Sequence, residues 1–326
     1  MQGTTLISLF CMAVMGLAIQ RGGTCFVHAV FEMLTERSAR RLLAILEAAL
    51  WVSGGLALAW YAGFASAITS EAKLSALTIA GGTLLGVGAV INRACALGTV
   101  AQLGSGNWAY AMTPFGYFIA CLSMNWLLPP AAQPASVASL LKFEHAAWLA
   151  PVFLAYLTWR LGVPLWKAFR QDGNARYLIQ QIATPHAATV VIGAGFVVLL
   201  LQGGHWTYTD LLAELATGQH AAADALGFRV LLVLVLFAGA VIGGVTAGKW
   251  QPTAPRLQTS LSCLAGGAVM ALGSRLVPGS NDHLILIGLP LLQAHAWLAL
   301  ASMGLTIAAA IRLQMSMQRA ATTASH

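Results

Sequence analysis

The chain has 326 residues, 58% of them hydrophobic and only 8% charged, with a mean hydropathy of +0.76. Water-soluble domains carry roughly 25% charged residues, so this composition belongs in a lipid bilayer. The formal charge of +7 sits in short segments between apolar runs and forms no continuous basic face, which argues against a nucleic-acid partner.

The opening stretch, MQGTTLISLFCMAVMGLAIQ, has neither a basic start nor a small-residue cleavage site, and it reads as a first membrane helix over 4–20. Next comes 21–33, RGGTCFVHAVFEM, too short to span and too apolar for a loop. It reads as a re-entrant or half-helix element, with Arg21, Gly22 and Gly23 leading into Cys25. Spans follow at 42–63 and 76–93. The second of these belongs to 81–107, GGTLLGVGAVINRACALGTVAQLGSGN, around which the chain is organised. An apolar helix stops there at Asn92 and Arg93, resumes beyond Cys95, and ends at Gly104, Ser105, Gly106 and Asn107. Irregular backbone at membrane depth must be buried in protein or line a cavity, and broken helices are where transporters place their substrates.

Six more spans are expected at 108–128, 146–165, 187–202, 229–247, 258–276 and 291–311, giving about nine transmembrane helices. A second break follows 258–276 at Pro278-Gly279-Ser280-Asn281-Asp282. Alternate loops carry Arg37, Arg40 and Arg41, then Arg160, Lys167, Arg170 and Arg176, then Lys249 and Arg256, then Arg312 and Arg319. By the positive-inside rule these loops are cytoplasmic, so the N-terminus is outside and the C-terminus inside. The low charge fits a bacterial cytoplasmic (inner) membrane.

The chain also repeats itself. The pairs Gly22-Gly23 and Gly203-Gly204 lie 181 positions apart, Gly81-Gly82 and Gly266-Gly267 lie 185 apart, and Gly54-Gly55 and Gly243-Gly244 lie 189 apart. Four spans, a linker span and four more turn the second copy over, which predicts an inverted-topology repeat with its site near the midplane. The expected division is a first repeat at 1–130, a linker helix and basic loop at 131–183, and a second repeat at 184–326. In this frame Cys95 falls opposite Ser280 and Cys25 opposite Trp206.

Of the five cysteines, Cys11, Cys121 and Cys263 read as small core residues, whereas Cys25 and Cys95 stand at helix breaks. The odd count and the absence of CxxC spacing argue against a disulfide framework and a structural zinc site. No nucleotide loop, metal cluster or catalytic triad is recognisable, so neither an enzyme nor a cofactor is expected. A thiol buried away from water stays protonated and donates weakly to a polarisable acceptor, which suits an anion with a soft terminal sulfur better than sulfate. Arg21, Arg93 and Arg275 are intramembrane charges that line the pathway, sit at the interface, or pair with Glu32 or Asp282. Asn107, Asn281 and Asp282 are expected to cap half-helices, and His28 and His205 read as core histidines more readily than as proton carriers.

These residues carry a resemblance. RGGTCFVHAV, GVGAVINRACALGTVAQLGSGN and GGAVMALGSRLVPGSNDHLILIGLP resemble the YeeE/YedE family of bacterial thiosulfate-uptake proteins over nearly the whole chain. The resemblance implies an hourglass-shaped all-α bundle of inverted repeats, with thiosulfate handed between cysteines through thiol hydrogen bonds. Two of the family's three cysteines match Cys25 and Cys95; the third position holds Ser280, a departure, because a hydroxyl is a harder donor and offers no sulfur. Substrate-pathway residues are thus expected at Cys25, Cys95, Ser280, Arg21, Arg93 and Asn281, with Gly22, Gly23, Gly104, Gly106, Asn107 and Gly279 shaping the half-helices. Rival readings are a non-transporting membrane subunit or sensor, with the basic inner loop docking a sulfurtransferase, and an enzyme passing sulfur through a persulfide.

Overall fold

Apolar runs without charge can satisfy their own backbone amides in lipid only by coiling into helices. The computed structural model describes residues 2–64, 74–127, 150–160, 162, 185–203, 207–218, 223–277 and 279–324. Among them the only strand-like pairing is an isolated bridge between Asn107 and Thr253. The helices are α1 (Gln2–Gly22), α2 (Phe26–Thr35), α3 (Arg40–Tyr61), α4 (Ala76–Asn92), α5 (Ala96–Gly104) and α6 (Met112–Leu127), the last entered through a 3-10 turn. After a helical stretch at 150–160 come α7 (Pro185–Gly203), α8 (Tyr208–Thr217), α9 (Ala223–Thr246) and α10 (Leu257–Leu276). A short α11 (Asn281–Gly288), ending in a π turn, and α12 (Ala294–Ala324) complete the chain.

Among the described residues five segments are long and apolar enough to cross a membrane: Thr4–Thr35, Arg40–Tyr61, Ala76–Gly104, Ala225–Thr246 and Ala294–Ala320. A sixth arises if α10 and α11, bent by 59°, count as one. The chain is therefore an all-helical, multi-pass membrane protein. Of the two forms expected for 21–33, re-entrant or half-helix, α2 is a half-helix, continuing α1 within one interrupted 32-residue segment. The interruption is narrow because Gly23, at φ +60°, and Cys25, extended at φ −135°, use only three residues to restart the helix. Of the linker span expected at 146–165, residues 150–160 and 162 are described and helical, whereas the basic loop at 160–176 lies largely outside the described residues, as do His205 and Trp206.

Helix pairing is organised by two exchanges. α1 packs on α9 while α3 packs on α7, and α4 packs on α12 while α6 packs on α10. Between these pairs, α4 lies against α10 and α1 against α7. The α4–α10 contact is made by glycine. A methyl group at Gly81 would lie 2.8 Å from the carbonyl of Gly273, and one at Gly273 2.7 Å from that of Gly81. Gly88 and Gly266 meet in the same reciprocal way, at 2.7 and 2.8 Å. Lipid supplies no hydrophobic drive between helices, so backbones brought together by small residues gain van der Waals contact instead.

Several of the described charges are paired. Glu47 of α3 accepts from Arg160 at 3.0 Å and Tyr156 at 3.0 Å and meets His186 at 2.6 Å, joining three helices. Glu32, which sequence reasoning offered as a partner for Arg21, Arg93 or Arg275, is engaged by Arg41 at 3.2 Å and accepts from Ser38 at 2.7 Å.

Candidate functional site

Each of the two broken crossings restarts on a cysteine. Cys25 is the N-cap of α2 and Cys95 the N-cap of α5, and the bent α10–α11 pair restarts on Ser280, the N-cap of α11. None of the three caps its own helix with its side chain. The helices cap one another instead. The first amide of α2, Phe26 N–H, donates to Cys95 Sγ at 3.3 Å, and the first amide of α5, Ala96 N–H, donates to Asn281 Oδ1 at 3.3 Å. Three half-helix N-termini, with their partial positive charge, therefore meet at one place.

At that place the thiols of Cys25 and Cys95 are hydrogen-bonded to each other, as free cysteines and not as a disulfide. Cys25, Cys95, Ser280 and Asn281 are all buried, at 2% exposure or less. Room for the Cys25 sulfur comes from Gly98 on the first turn of α5, where a Cβ would stand 2.5 Å from Sγ. Asn281 Nδ2 is buried with no hydrogen-bond partner among the described residues, leaving an uncommitted donor beside the thiols.

Ser280 sits in a network of oxygens. Its hydroxyl contacts Thr209 Oγ1 and Asp282 Oδ1, and Thr209 Oγ1 donates to the same carboxyl oxygen at 2.5 Å. The neighbouring α8 is fixed by a capping box between Thr207 and Asp210, by Tyr208 Oη donating to the Ala96 carbonyl at 3.0 Å, and by Asp210 Oδ2 against His283 Nδ1 at 2.7 Å. A cavity of about 30 Å³ lies beside this cluster, lined by Thr207, Tyr208, Asp282, Leu97 and apolar side chains of α1, α7 and α9. That is room for about one water molecule.

The remaining expected residues are distributed around this centre. Arg21 is buried in the last turn of α1, just ahead of the first break. Arg93 forms the left-handed C-cap of α4, at φ +58°, with an exposed side chain in electrostatic reach of Tyr110 and Cys263; it does not touch the thiols. Arg275, in the last turn of α10, has a buried Nη2 without a hydrogen-bond partner among the described residues. Gly22 packs against Ala188 and Gly104 against the Ala240 carbonyl, while Gly106 and Gly279 take positive φ at the ends of α5 and before α11. Asn107 caps the 3-10 turn and faces Thr253, so it does not cap a half-helix. Asn281 caps a neighbouring half-helix in place of its own, and Asp282 binds hydroxyls. Sequence reasoning missed Gly98, Tyr208 and Thr209. Of the α8 residues, only the Thr207…Asp210 capping-box spacing was a local signal.

The family model described as "Sulphur transport" matches residues 21–309, almost the entire chain and every element of this centre. The chain belongs to that family. The protein is accordingly a sulphur-transport protein of the membrane and not an enzyme. It is also similar to the thiosulfate transporter TsuA of Escherichia coli (strain K12), with 25% identity over 331 residues, covering 91% of each chain.

Proposed function

We propose that this protein moves thiosulfate, or a closely related anion with a terminal sulfur, into the bacterial cytoplasm through the centre where Cys25, Cys95 and Ser280 meet. The observation that carries the reading is the mutual hydrogen bond of two buried thiols at facing half-helix N-termini. An S–H donor is matched to a soft, polarisable sulfur, and hydrogen bonds to a charged acceptor contribute about 1.5–3 kcal/mol each. The anion replaces the thiol–thiol bond with two thiol–anion bonds, while the helix ends and the free Asn281 Nδ2 receive its oxygens. Arg275, with its unpartnered buried Nη2, attracts the anion toward this centre; exposed Arg93 serves on the opposite approach. No covalent sulfur transfer is needed.

The reading extends to the frame. The exchanged pairings of α1 with α9 and α3 with α7, and of α4 with α12 and α6 with α10, support two inverted repeats around a shared waist. About nine crossings in the inner membrane, with the N-terminus outside and the C-terminus inside, follow from the charge pattern of the loops. The test is uptake of labelled thiosulfate into proteoliposomes by wild type, Cys25→Ala and Cys95→Ala. Loss in both variants, with intact insertion, supports a thiol-lined path; full uptake by either variant refutes it.

A further inference from the structure

Asp282 is a buried acid for which anion passage alone has no use. It is 1% exposed, and its Oδ2 has no hydrogen-bond partner among the described residues although the side chain lines the central cavity. A charge at such depth is expensive and in transport proteins marks an ion or proton route. It would also set a negative charge beside the path of an anion, raising the barrier to passage.

The surroundings of Asp282 define what can compensate it. On its own helix, His283 is turned to Asp210. From α8 come Asp210, Tyr208 and Thr209, and from α6 comes Tyr117, whose hydroxyl is paired with Ser274 at 2.7 Å. The lining contributed by α1, α7 and α9 is apolar: Met12, Met15, Ile19, Phe196, Leu199 and Leu236. Among the described residues no Lys or Arg is bonded to Asp282.

The hydrogens in this cluster can be counted. A carboxylate has no hydrogen to give. With Asp282 ionised, its contacts at Oδ1 are therefore filled by the hydrogens of Ser280 and Thr209, and Ser280 offers the pathway only lone pairs. One added proton on Oδ1 reverses this. The acid then donates to Ser280 Oγ, and the Ser280 hydrogen is released toward the anion.

From this juxtaposition we propose that Asp282 is a proton-binding site that couples anion passage to proton entry, with Ser280 as the donor that protonation switches on. The inference rests on the transport reading above. A proton taken from water on the outer side neutralises Asp282, the anion is bound and passes, and the proton leaves to water on the inner side. The protein works as a proton–anion symporter.

The test uses proteoliposomes clamped at zero membrane potential, with labelled thiosulfate outside and a pH-sensitive dye inside. Wild type is expected to acidify the lumen on addition of thiosulfate and to accumulate it under an inward proton gradient. Its uptake should fall as external pH rises, approaching about tenfold per unit for one titrating group. Asp282→Asn keeps an uncharged hydrogen-bonding side chain and is expected to lose both the pH slope and the acidification, whereas Asp282→Glu retains them. Should Asp282→Asn fail to insert, wild type and Asp282→Glu decide through the acidification signal. Uptake by wild type without acidification, or an unchanged pH slope in Asp282→Asn, overturns the proton site alone. Absence of any sulfur-anion uptake by wild type removes the transport reading itself.

Discussion

The two halves of the molecule build their central helix starts from different chemistry. In the first half the caps are sulfur: Cys25 and Cys95 leave their own helices uncapped, and the amides of α2 and α5 are taken by neighbours. In the second half the caps are oxygen. Thr207 caps α8 within a complete capping box, and Ser280 is held by Thr209 and Asp282. A thiol is a poor helix cap but a ready donor to a soft anion, whereas a hydroxyl beside a carboxyl is a fixed structural group until its proton inventory changes. On the proposed reading, one half faces the cargo and the other holds the titratable group.

The largest effect should come from the sulfur half. Cys95→Ala removes the acceptor of the Phe26 amide and the partner of Cys25 together. At about 1–3 kcal/mol for each buried group left unsatisfied, uptake should drop by on the order of 100-fold. Thiosulfate-dependent growth of a strain without other uptake routes should disappear, and wild-type growth would end the relay reading. Gly98→Ala comes next. Its Cβ would stand 2.5 Å from the Cys25 sulfur and 3.1 Å from Ala94 Cβ. Overpacking of about 1–3 kcal/mol should displace the thiol and lower uptake roughly tenfold with little change in expression.

Converting the oxygen half toward sulfur is a subtler change. Ser280→Cys replaces a strong donor to Asp282 by a weak one. It should flatten the pH slope and raise the preference for thiosulfate over sulfate by about fivefold, the equivalent of roughly 1 kcal/mol, read from competition assays. An unchanged preference would make the two halves chemically equivalent at this position. Smallest is Thr207→Ala, which removes a helix cap worth about 1 kcal/mol. Thermal stability of the detergent-solubilised protein should fall while the KM for uptake stays the same; a raised KM would place Thr207 in the pathway.

How far the sequence revealed this arrangement depended on the kind of signal. Arg93 and Cys95 announced a break because a charge inside an apolar run has few structural explanations, and α4 ends there at Asn92. The glycine frame set Cys95 opposite Ser280, and both are N-caps of their half-helices. The same frame set Cys25 opposite Trp206, but the helix starts align Cys25 with Thr207. Gly22 ends α1 and Gly203 ends α7, and the turn that follows can differ by one residue. What the sequence could not show was cross-capping. Whether Asn281 caps its own helix or the amide of Ala96 depends on three-dimensional approach, and spacing along the chain carries none of that information. Arg93 illustrates the same limit, since a left-handed C-cap turns its side chain outward.

The reciprocal glycine contact of α4 with α10 has a mechanical consequence. Helices that touch through their backbones at Gly81–Gly273 and Gly88–Gly266 have no layer of side chains on which to slide. On the proposed reading α4 and α10 are therefore expected to move as one unit, with opening left to the first turns of α2, α5 and α11 and the side chains between them. A covalent crosslink between α4 and α10 should leave turnover intact, and transport should respond weakly to bilayer thickness and lateral tension.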